Sequence, residues 1–194
     1  MTNALIVIDV QESFRQRPLW RTLNNPALIG NVRRLVEAAR AGGEMVVWVL
    51  HAEPGSGGLF DPASGFVRLV DELEPAKGEP VVTKTSHNAF STTNLQQTLI
   101  AAGVRSVTVC GIRTEQCVET TARVASDFGY AVTYLTDATG TFPIPHWEAP
   151  ADQTVEELLA DPRTLSAADV VTRTEYALAG RFAAIRTVDD YLGE

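Results

Sequence analysis

The sequence predicts an α/β protein, a three-layer α/β/α sandwich whose mainly parallel, doubly wound central sheet lies between two layers of helices. Short runs of apolar and β-branched residues alternate with longer segments of helical spacing, which is typical of right-handed β–α–β crossovers. The short runs are apolar at nearly every position, as in strands that are buried on both faces of a parallel sheet. They cover residues 4–9, 45–50, 81–84, 104–110 and 131–135.

Helical segments separate these strands. Pro26 follows two asparagines and suits the first turn of a helix, because its ring fixes φ at a helical value. A threonine at position 92 or 93 can cap the next helix, and Gly129 can end the one after it. The predicted helices cover residues 26–41, 95–102, 117–128 and 175–182, and a weaker strand is predicted over residues 169–172.

Composition limits the classes of function. The 194 residues, 45% hydrophobic and 21% charged, suit one globular domain over residues 1–194. The formal net charge of −8 provides no basic surface for nucleic acid or anionic membranes. No apolar run reaches the roughly 18 residues of a membrane span, and the first residues lack the basic region of a signal peptide. The two cysteines have no zinc-type spacing, so we expect a cytoplasmic protein without nucleic-acid or membrane partners.

Three chemically useful residues follow the carboxyl ends of predicted strands. Asp9 ends the first strand, Lys84 ends the third, and Cys117 follows the fourth at the start of a helical segment. Sites in parallel α/β sheets form beyond this edge. A carboxylate, an ammonium and a thiol placed there can serve as base, orienting charge and nucleophile. The positive end of a helix would favour the thiolate form of Cys117.

Each of these residues also has a structural interpretation. Asp9 can be a strand-end cap or a surface ion-pair partner, Lys84 can be a solvated lysine at a strand end, and Cys117 can be a buried core thiol. Cys110 lies inside a predicted strand and is interpreted as a small core hydrophobe. Thiol redox chemistry is the alternative, and it would need Cys110 within reach of Cys117. Gln11 shares a strand face with Asp9, so a role in a polar pocket competes with a solvent-facing one.

Three segments carry a resemblance to a known family. They are residues 8–11 with Phe14, Lys84 with Phe90, and residues 111–122, and the likeness continues through residues 129–132 and 137–138. Together they resemble the isochorismatase-like cysteine hydrolase superfamily, which includes nicotinamidases, N-carbamoylsarcosine amidase, ureidoacrylate amidohydrolases and isochorismatase. The resemblance spans nearly the whole chain, and the acid, lysine and cysteine motifs are specific in this order.

The resemblance implies a role for each residue of the site. Cys117 would be the nucleophile, Asp9 would take its proton, and Lys84 would hold the charge distribution that favours thiolate. A cis peptide bond is expected between Ile112 and Arg113. The backbone N–H groups of Arg113 and Cys117 would then form an oxyanion hole for the reacting carbonyl.

The resemblance also implies an activity. We expect a hydrolase that cleaves a carbon–nitrogen bond of a small, non-peptide amide, imide, lactam or ureido compound through a thioester, with no cofactor. An isochorismatase-type vinyl ether hydrolase is one alternative, although the presence of Cys117 favours acyl transfer. A non-catalytic binding or assembly module on the same scaffold is another. The family implies a homo-oligomer, a dimer or tetramer.

Nicotinamidases, which this sequence resembles, carry an Asp-x-His pair and a further histidine after the second strand. Here the corresponding stretch holds His51 and Glu53 with no second histidine nearby. We therefore predict a metal-free site, and a metal held by His51, Glu53 and His87 is the alternative.

Substrate identity is not encoded in any motif. Gln11, Phe14 and Phe90 are the candidates for contact with substrate. Loops over residues 52–65 and 139–150 are long enough to form the rim of a site and to set its specificity. A substrate carboxylate could meet one of three arginines, for which exposure to solvent is the alternative: Arg15, Arg17 and Arg113.

Overall fold

A computed structural model describes residues 2–193, so the two end positions of the predicted domain 1–194 lie outside the described residues. Six parallel strands form one sheet: β1 Asn3–Ile8, β2 Met45–His51, β3 Val81–Lys84, β4 Ser106–Ile112, β5 Ala131–Gly140 and β6 Ala184–Arg186. Their order across the sheet is β3–β2–β1–β4–β5–β6. The predicted fold class is confirmed.

Helices cover both faces of the sheet. They are α1 Glu12–Arg15, α2 Leu28–Ala41, α3 Leu95–Ala101, α4 Glu119–Asp127, α5 Val155–Ala160, α6 Ala167–Leu178 and α7 Val188–Leu192. Two 3₁₀ helices, Pro18–Thr22 and Pro62–Ser64, and a π-helical turn, Thr114–Val118, complete the set. The core under α2 and α7 lies on one face, and the core under α3, α4 and α6 lies on the other.

Burial on both faces explains why β1, β2 and β4 are apolar nearly throughout, whereas the edge strand β3 has one exposed face. In β1, Ile6 and Ile8 face the core under α3 and α4, whereas Leu5 and Val7 face the core under α2. Each of these four side chains is almost completely buried. A strand with one solvated face would instead alternate apolar and polar residues.

The chain reverses its direction of winding between β1 and β4, which are neighbours in the sheet. In open sheets of this order, a crevice forms outside the carboxyl ends of these two strands. Ile8 is paired with Gly111 there, and Gly111 has a φ of +124°. A Cβ atom on Gly111 would lie 1.9 Å from the Ile8 carbonyl oxygen, so only glycine fits. This contact brings the residues after β1 and β4 together.

The expected strand over residues 169–172 is wrong, because this segment lies within α6. The Ser166 side chain caps that helix by accepting a hydrogen bond from the Asp169 N–H. Val170 and Leu178 are buried on the same helix face, so helical spacing outweighs the strand preference of two adjacent valines. The last strand is β6 and lies further along the chain. β5 extends to Gly140 rather than ending at residue 135.

Candidate active site

The structure brings together the three residues that the sequence places at strand ends. Asp9 directly follows β1, Lys84 is the last residue of β3, and Cys117 lies in the π-helical turn after β4. The Lys84 Nζ lies 2.8 Å from Asp9 Oδ2 and 3.3 Å from Cys117 Sγ. Asp9 and Lys84 are fully buried, whereas Cys117 is 5% exposed. Of these three residues, Cys117 is therefore the one with any exposed surface.

Asp9 has an unusual backbone conformation for a residue other than glycine, with a φ of +54°. Such a conformation costs about 1–3 kcal/mol and persists where surrounding contacts impose it. Here the Asp9 N–H donates to the Val49 carbonyl (2.9 Å), and the Asp9 carbonyl accepts from the Gln11 N–H (2.9 Å). Within residues 2–193 neither carboxylate oxygen accepts a hydrogen bond of normal geometry, so its contact with Lys84 is a charge pair rather than an aligned hydrogen bond.

Lys84 contacts three groups through one ammonium. Besides Asp9 and Cys117, its Nζ lies 3.3 Å from His51 Nδ1. Of the three protons that an ammonium can donate, one is directed to the sulfur and one to the imidazole nitrogen, while the contact with Asp9 is a charge pair. Burial lowers the pKa of His51, and the Lys84 charge lowers it further, which favours a neutral imidazole whose Nδ1 can accept. The other ring nitrogen lies 3.4 Å from Glu53 Oε1.

His51 is a further member of the site, which the sequence analysis considers as a possible metal ligand and not as a partner of Asp9, Lys84 and Cys117. It is the last residue of β2, as Lys84 is the last residue of β3. The signal that identifies Asp9 and Lys84, a polar residue at the carboxyl end of an apolar strand, applies equally to His51. Within residues 2–193 there is no group of three or more histidine, cysteine or acidic side chains that could hold a metal ion.

Burial controls the protonation of the acid and the thiol. It raises the pKa of Cys117 to about 12, and the Asp9 carboxylate adds to this effect while Lys84 opposes it. Burial also raises the pKa of Asp9, again against the effect of Lys84. Desolvation and the neighbouring carboxylate therefore oppose the effect expected of the helix end, and a thiolate favoured by that end stays a prediction. Asp9 is a stronger base than an exposed carboxylate.

Arg113 connects the end of β4 to the turn that carries Cys117. The peptide bond between Ile112 and Arg113 is cis. The Arg113 carbonyl accepts from the Val118 N–H (3.2 Å), and the Arg113 N–H has no hydrogen-bond acceptor within residues 2–193. Its guanidinium Nη2 lies 2.9 Å from Glu115 Oε1. The sequence analysis does not identify Glu115. The Arg-x-Glu spacing just before Cys117 could have indicated this ion pair.

Two of the predicted substrate contacts have other roles. The Gln11 side chain donates to the His51 carbonyl (3.0 Å) and to Ser13 Oγ (2.9 Å), and accepts from the His51 N–H (2.7 Å). Its amide therefore braces the end of β2, and its contact with substrate stays a prediction. The Phe90 ring packs 5.3 Å from that of Phe128, beyond the end of α4 that lies away from Cys117, and its contact with substrate also stays a prediction.

Phe14 belongs to an aromatic wall that runs beside the site. Its ring lies 4.9 Å from Phe60 and 6.2 Å from Phe142. Phe60 in turn lies 5.7 Å from the His51 ring, and the Arg113 guanidinium lies 5.4 Å from the centre of the Phe142 ring. The wall thus extends from the imidazole at one end of the site to the guanidinium at the other. The contact of Phe14 with substrate stays a prediction.

A cavity of about 540 Å³ adjoins the Arg113 end of this wall. Its lining comes from Arg113, from Arg17 and the first residues of Pro18–Thr22, from the loop over residues 139–150, and from α5. The three residues Asp9, Lys84 and Cys117 do not line it, so Arg113 is the connection between the cavity and the reactive sulfur. Phe60, from the loop over residues 52–65, lies against His51 on the other side.

Cys110 is separated from this chemistry. It lies in the core under α2, whereas Cys117 lies in the core under α3 and α4. Both are free thiols, and burial raises the pKa of Cys110 to about 12. The redox alternative is therefore contradicted, and the interpretation of Cys110 as a small core hydrophobe is confirmed. Among residues 2–193, no helix has the length and apolar character to cross a bilayer.

Comparison with known proteins gives consistent matches. The family model of the isochorismatase domain matches residues 3–175. A secreted isochorismatase effector of Verticillium dahliae is 34% identical over 76% of this chain and 77% of its own length. A streptothricin hydrolase of Streptomyces noursei is 33% identical over 94% of this chain and 71% of its own length.

Two further matches concern reaction and fold. The ureidoacrylate amidohydrolase RutB of Agrobacterium fabrum is 28% identical over 71% of this chain and 75% of its own length. A solved structure of the isochorismatase family from Chromobacterium violaceum superimposes with a TM-score of 0.86 at 27% identity, covering 99% of this chain and 92% of that one.

Proposed function

Since this chain belongs to the isochorismatase family of hydrolases, we propose that it is a cysteine hydrolase acting on a carbon–nitrogen bond. Its substrate would be a small, non-peptide amide, imide, lactam or ureido compound, cleaved through a thioester. The observation that carries the proposal is the Lys84 ammonium, 2.8 Å from the Asp9 carboxylate and 3.3 Å from the Cys117 sulfur. The similarity to an amidohydrolase supports the class of bond.

In the first half of the reaction, Cys117 Sγ attacks the carbonyl carbon while its proton passes to the Asp9 carboxylate. Because the pKa of both groups is raised, the proton moves as the carbon–sulfur bond forms, and no free thiolate has to accumulate beforehand. The tetrahedral intermediate then collapses. Its carbon–nitrogen bond breaks, Asp9 returns the proton to the departing nitrogen, and a thioester remains on Cys117.

The second half reverses these roles. A water molecule loses a proton to the Asp9 carboxylate and adds to the thioester carbonyl. The carbon–sulfur bond then breaks, the acid leaves, and the sulfur recovers its proton from Asp9. Lys84 faces the buried acid at 2.8 Å, and its contact with His51 fixes its position.

The oxyanion formed in both halves needs hydrogen-bond donors that are in place beforehand. The N–H groups of Arg113 and Cys117 are the proposed donors. The Arg113 N–H has no acceptor within residues 2–193, and it lies at the start of the turn that carries the sulfur. One such donor is worth about 10²–10³ in rate.

The test is turnover by purified protein and two alanine variants. Ammonia release or ring opening is measured on a panel of primary amides, lactams, imides and ureido compounds. We expect Cys117→Ala to lower kcat by roughly 10⁴-fold or more. The control Cys110→Ala changes the other cysteine, in the core on the opposite face, and should keep its activity. Activity retained in Cys117→Ala would contradict the nucleophile, and no turnover of any panel member by the unaltered protein would contradict the bond class.

The remaining expectations from the family resemblance are testable separately. We infer a homo-oligomer, a dimer or tetramer, and light scattering after size-exclusion chromatography should then give a mass at least twice the 21.0 kDa of one chain. A mass of one chain would contradict it. The cytoplasmic location stays a prediction.

A further inference from the structure

The cavity next to Arg113 has a charge opposite to that of the whole chain. Among the described residues, its lining includes the side chains of Arg17 and Arg113 and no aspartate or glutamate. The chain as a whole carries a formal net charge of −8. Two guanidinium groups in one concave surface of an acidic protein favour a negatively charged ligand, since guanidinium pairs with carboxylates through two parallel hydrogen bonds.

The Arg113 guanidinium is only partly satisfied. Its side chain is 12% exposed, and Nη2 pairs with Glu115 Oε1. Within residues 2–193, its buried Nε donates to no acceptor. Burial lowers the pKa of Arg113, the Arg17 charge lowers it further, and Glu115 opposes both effects. A buried donor without a partner is costly, so a ligand that accepts from this guanidinium would be held firmly.

Arg17 provides the charge in excess. Within residues 2–193 its guanidinium forms no ion pair, whereas Glu115 already compensates Arg113. It lies close enough to influence Arg113 electrostatically, and both side chains line the same cavity. Two cations and one carboxylate leave a net positive charge at this position, which one carboxylate from a ligand would neutralise.

The position of Arg113 ties this cavity to the nucleophile. Arg113 precedes Cys117 by four residues, and the first helical hydrogen bonds of the turn run from Gln116 and Val118 to its carbonyl. Arg113 caps the π-helical turn that contains Cys117, and the two side chains are close enough to interact electrostatically. One small molecule can therefore contact the Arg113 side chain and present a carbonyl to the sulfur.

We propose that this cavity binds the carboxylate of the substrate, so that the substrate is a small amide carrying a negative charge. Arg17 and Arg113 hold the carboxylate while the amide carbonyl reaches Cys117. This inference rests on the proposed hydrolase function and narrows its substrate class. For a primary monoamide of a dicarboxylic acid, the hydrolysis consumes one water and yields the diacid and ammonia.

The experiment compares pairs of substrates that differ only in charge. Malonamate, succinamate and glutaramate are each matched with the neutral diamide of the same length. We expect kcat/KM to favour the anionic member by about 10- to 100-fold for at least one length, the range typical of hydrogen bonds to a charged group. Arg17→Gln should remove most of this preference. The control Arg33→Gln, on the exposed side of α2, should keep it.

Binding measured without turnover separates the two proposals. Calorimetric titration of Cys117→Ala with the best monoamide and its diamide should show the same preference, lost in Cys117→Ala/Arg17→Gln. If the protein cleaves both members of each pair equally and Cys117→Ala binds them equally, the carboxylate site is refuted and the hydrolase stands. If no compound is cleaved but binding is charge-selective and depends on Arg17, the hydrolase fails and the carboxylate site stands. If neither turnover nor selective binding is found, both fail.

Discussion

Replacing Lys84 by methionine would leave the Asp9 carboxylate buried without its cation. At their separation of 2.8 Å, the two charges attract by about 6 kcal/mol if the effective dielectric constant is about 20. Part of that attraction offsets the desolvation of the two fully buried groups. Removing one partner of a buried pair costs about 3–5 kcal/mol, a large share of the about 5–15 kcal/mol that stabilises a typical domain.

The loss should depend on pH in a defined direction. Burial already raises the pKa of Asp9 against the effect of Lys84, and without Lys84 it rises further. A carboxyl group whose pKa is higher in the folded than in the unfolded state stabilises the fold most below the unfolded value of about 3.9. This contribution is lost as the pH rises through the folded pKa. Lys84→Met should therefore be closest to the unaltered protein in acid and most destabilised in mild alkali.

A double-mutant cycle measures the pair directly. Urea unfolding is followed for the unaltered protein, Lys84→Met, Asp9→Asn and the double variant at acidic and alkaline pH. The double variant holds no unpaired charge, so it should recover most of the stability that Lys84→Met loses. The control Arg163→Met breaks an ion pair with Asp161 of the same 2.8 Å length at a half-exposed arginine and should cost about 0–1 kcal/mol. A Lys84→Met protein of unaltered stability in alkali, or a double variant no more stable than Lys84→Met, would refute this reasoning.

Two further predictions concern the backbone and the thiols. Gly111→Ala should fail to fold or unfold at a much lower temperature, because the new Cβ would lie 1.9 Å from the Ile8 carbonyl oxygen. Gly30→Ala, whose Cβ meets nothing within 4 Å on α2, should gain about 0.5–1 kcal/mol, and equal melting temperatures for the two variants would count against the clash. Iodoacetamide should modify Cys117 and not Cys110 in the folded protein, since only Cys117 has any exposed surface. The rate should keep rising through the alkaline range, because burial raises the pKa of Cys117 to about 12; a plateau near neutral pH, read by intact mass, would contradict this.

The predictions from sequence succeed where the determinant is local. A strand that is buried on both faces must be apolar throughout, so β1, β2 and β4 can be recognised from the sequence without knowledge of the strands they pair with. A charged residue at the carboxyl end of a predicted strand lies at the carboxyl edge of the sheet, which is enough to single out Asp9 and Lys84. The strand predicted over residues 169–172 is wrong because its valines favour a strand locally. The N-cap and the buried face that make the segment helical involve residues outside it.

The sequence by itself determined the fold class, the edge of the sheet where the polar residues meet, and the identity of the acid, the amine and the thiol. Only the tertiary structure decided that His51 joins them, that Gln11 braces a strand end, and that burial raises the pKa of Cys117. Proximity to Lys84, hydrogen-bond partners and desolvation depend on strands and helices far apart in the chain. The spacing of residues along the sequence does not show the contact with Lys84, the hydrogen-bond partners or the desolvation, because all three depend on the assembled sheet.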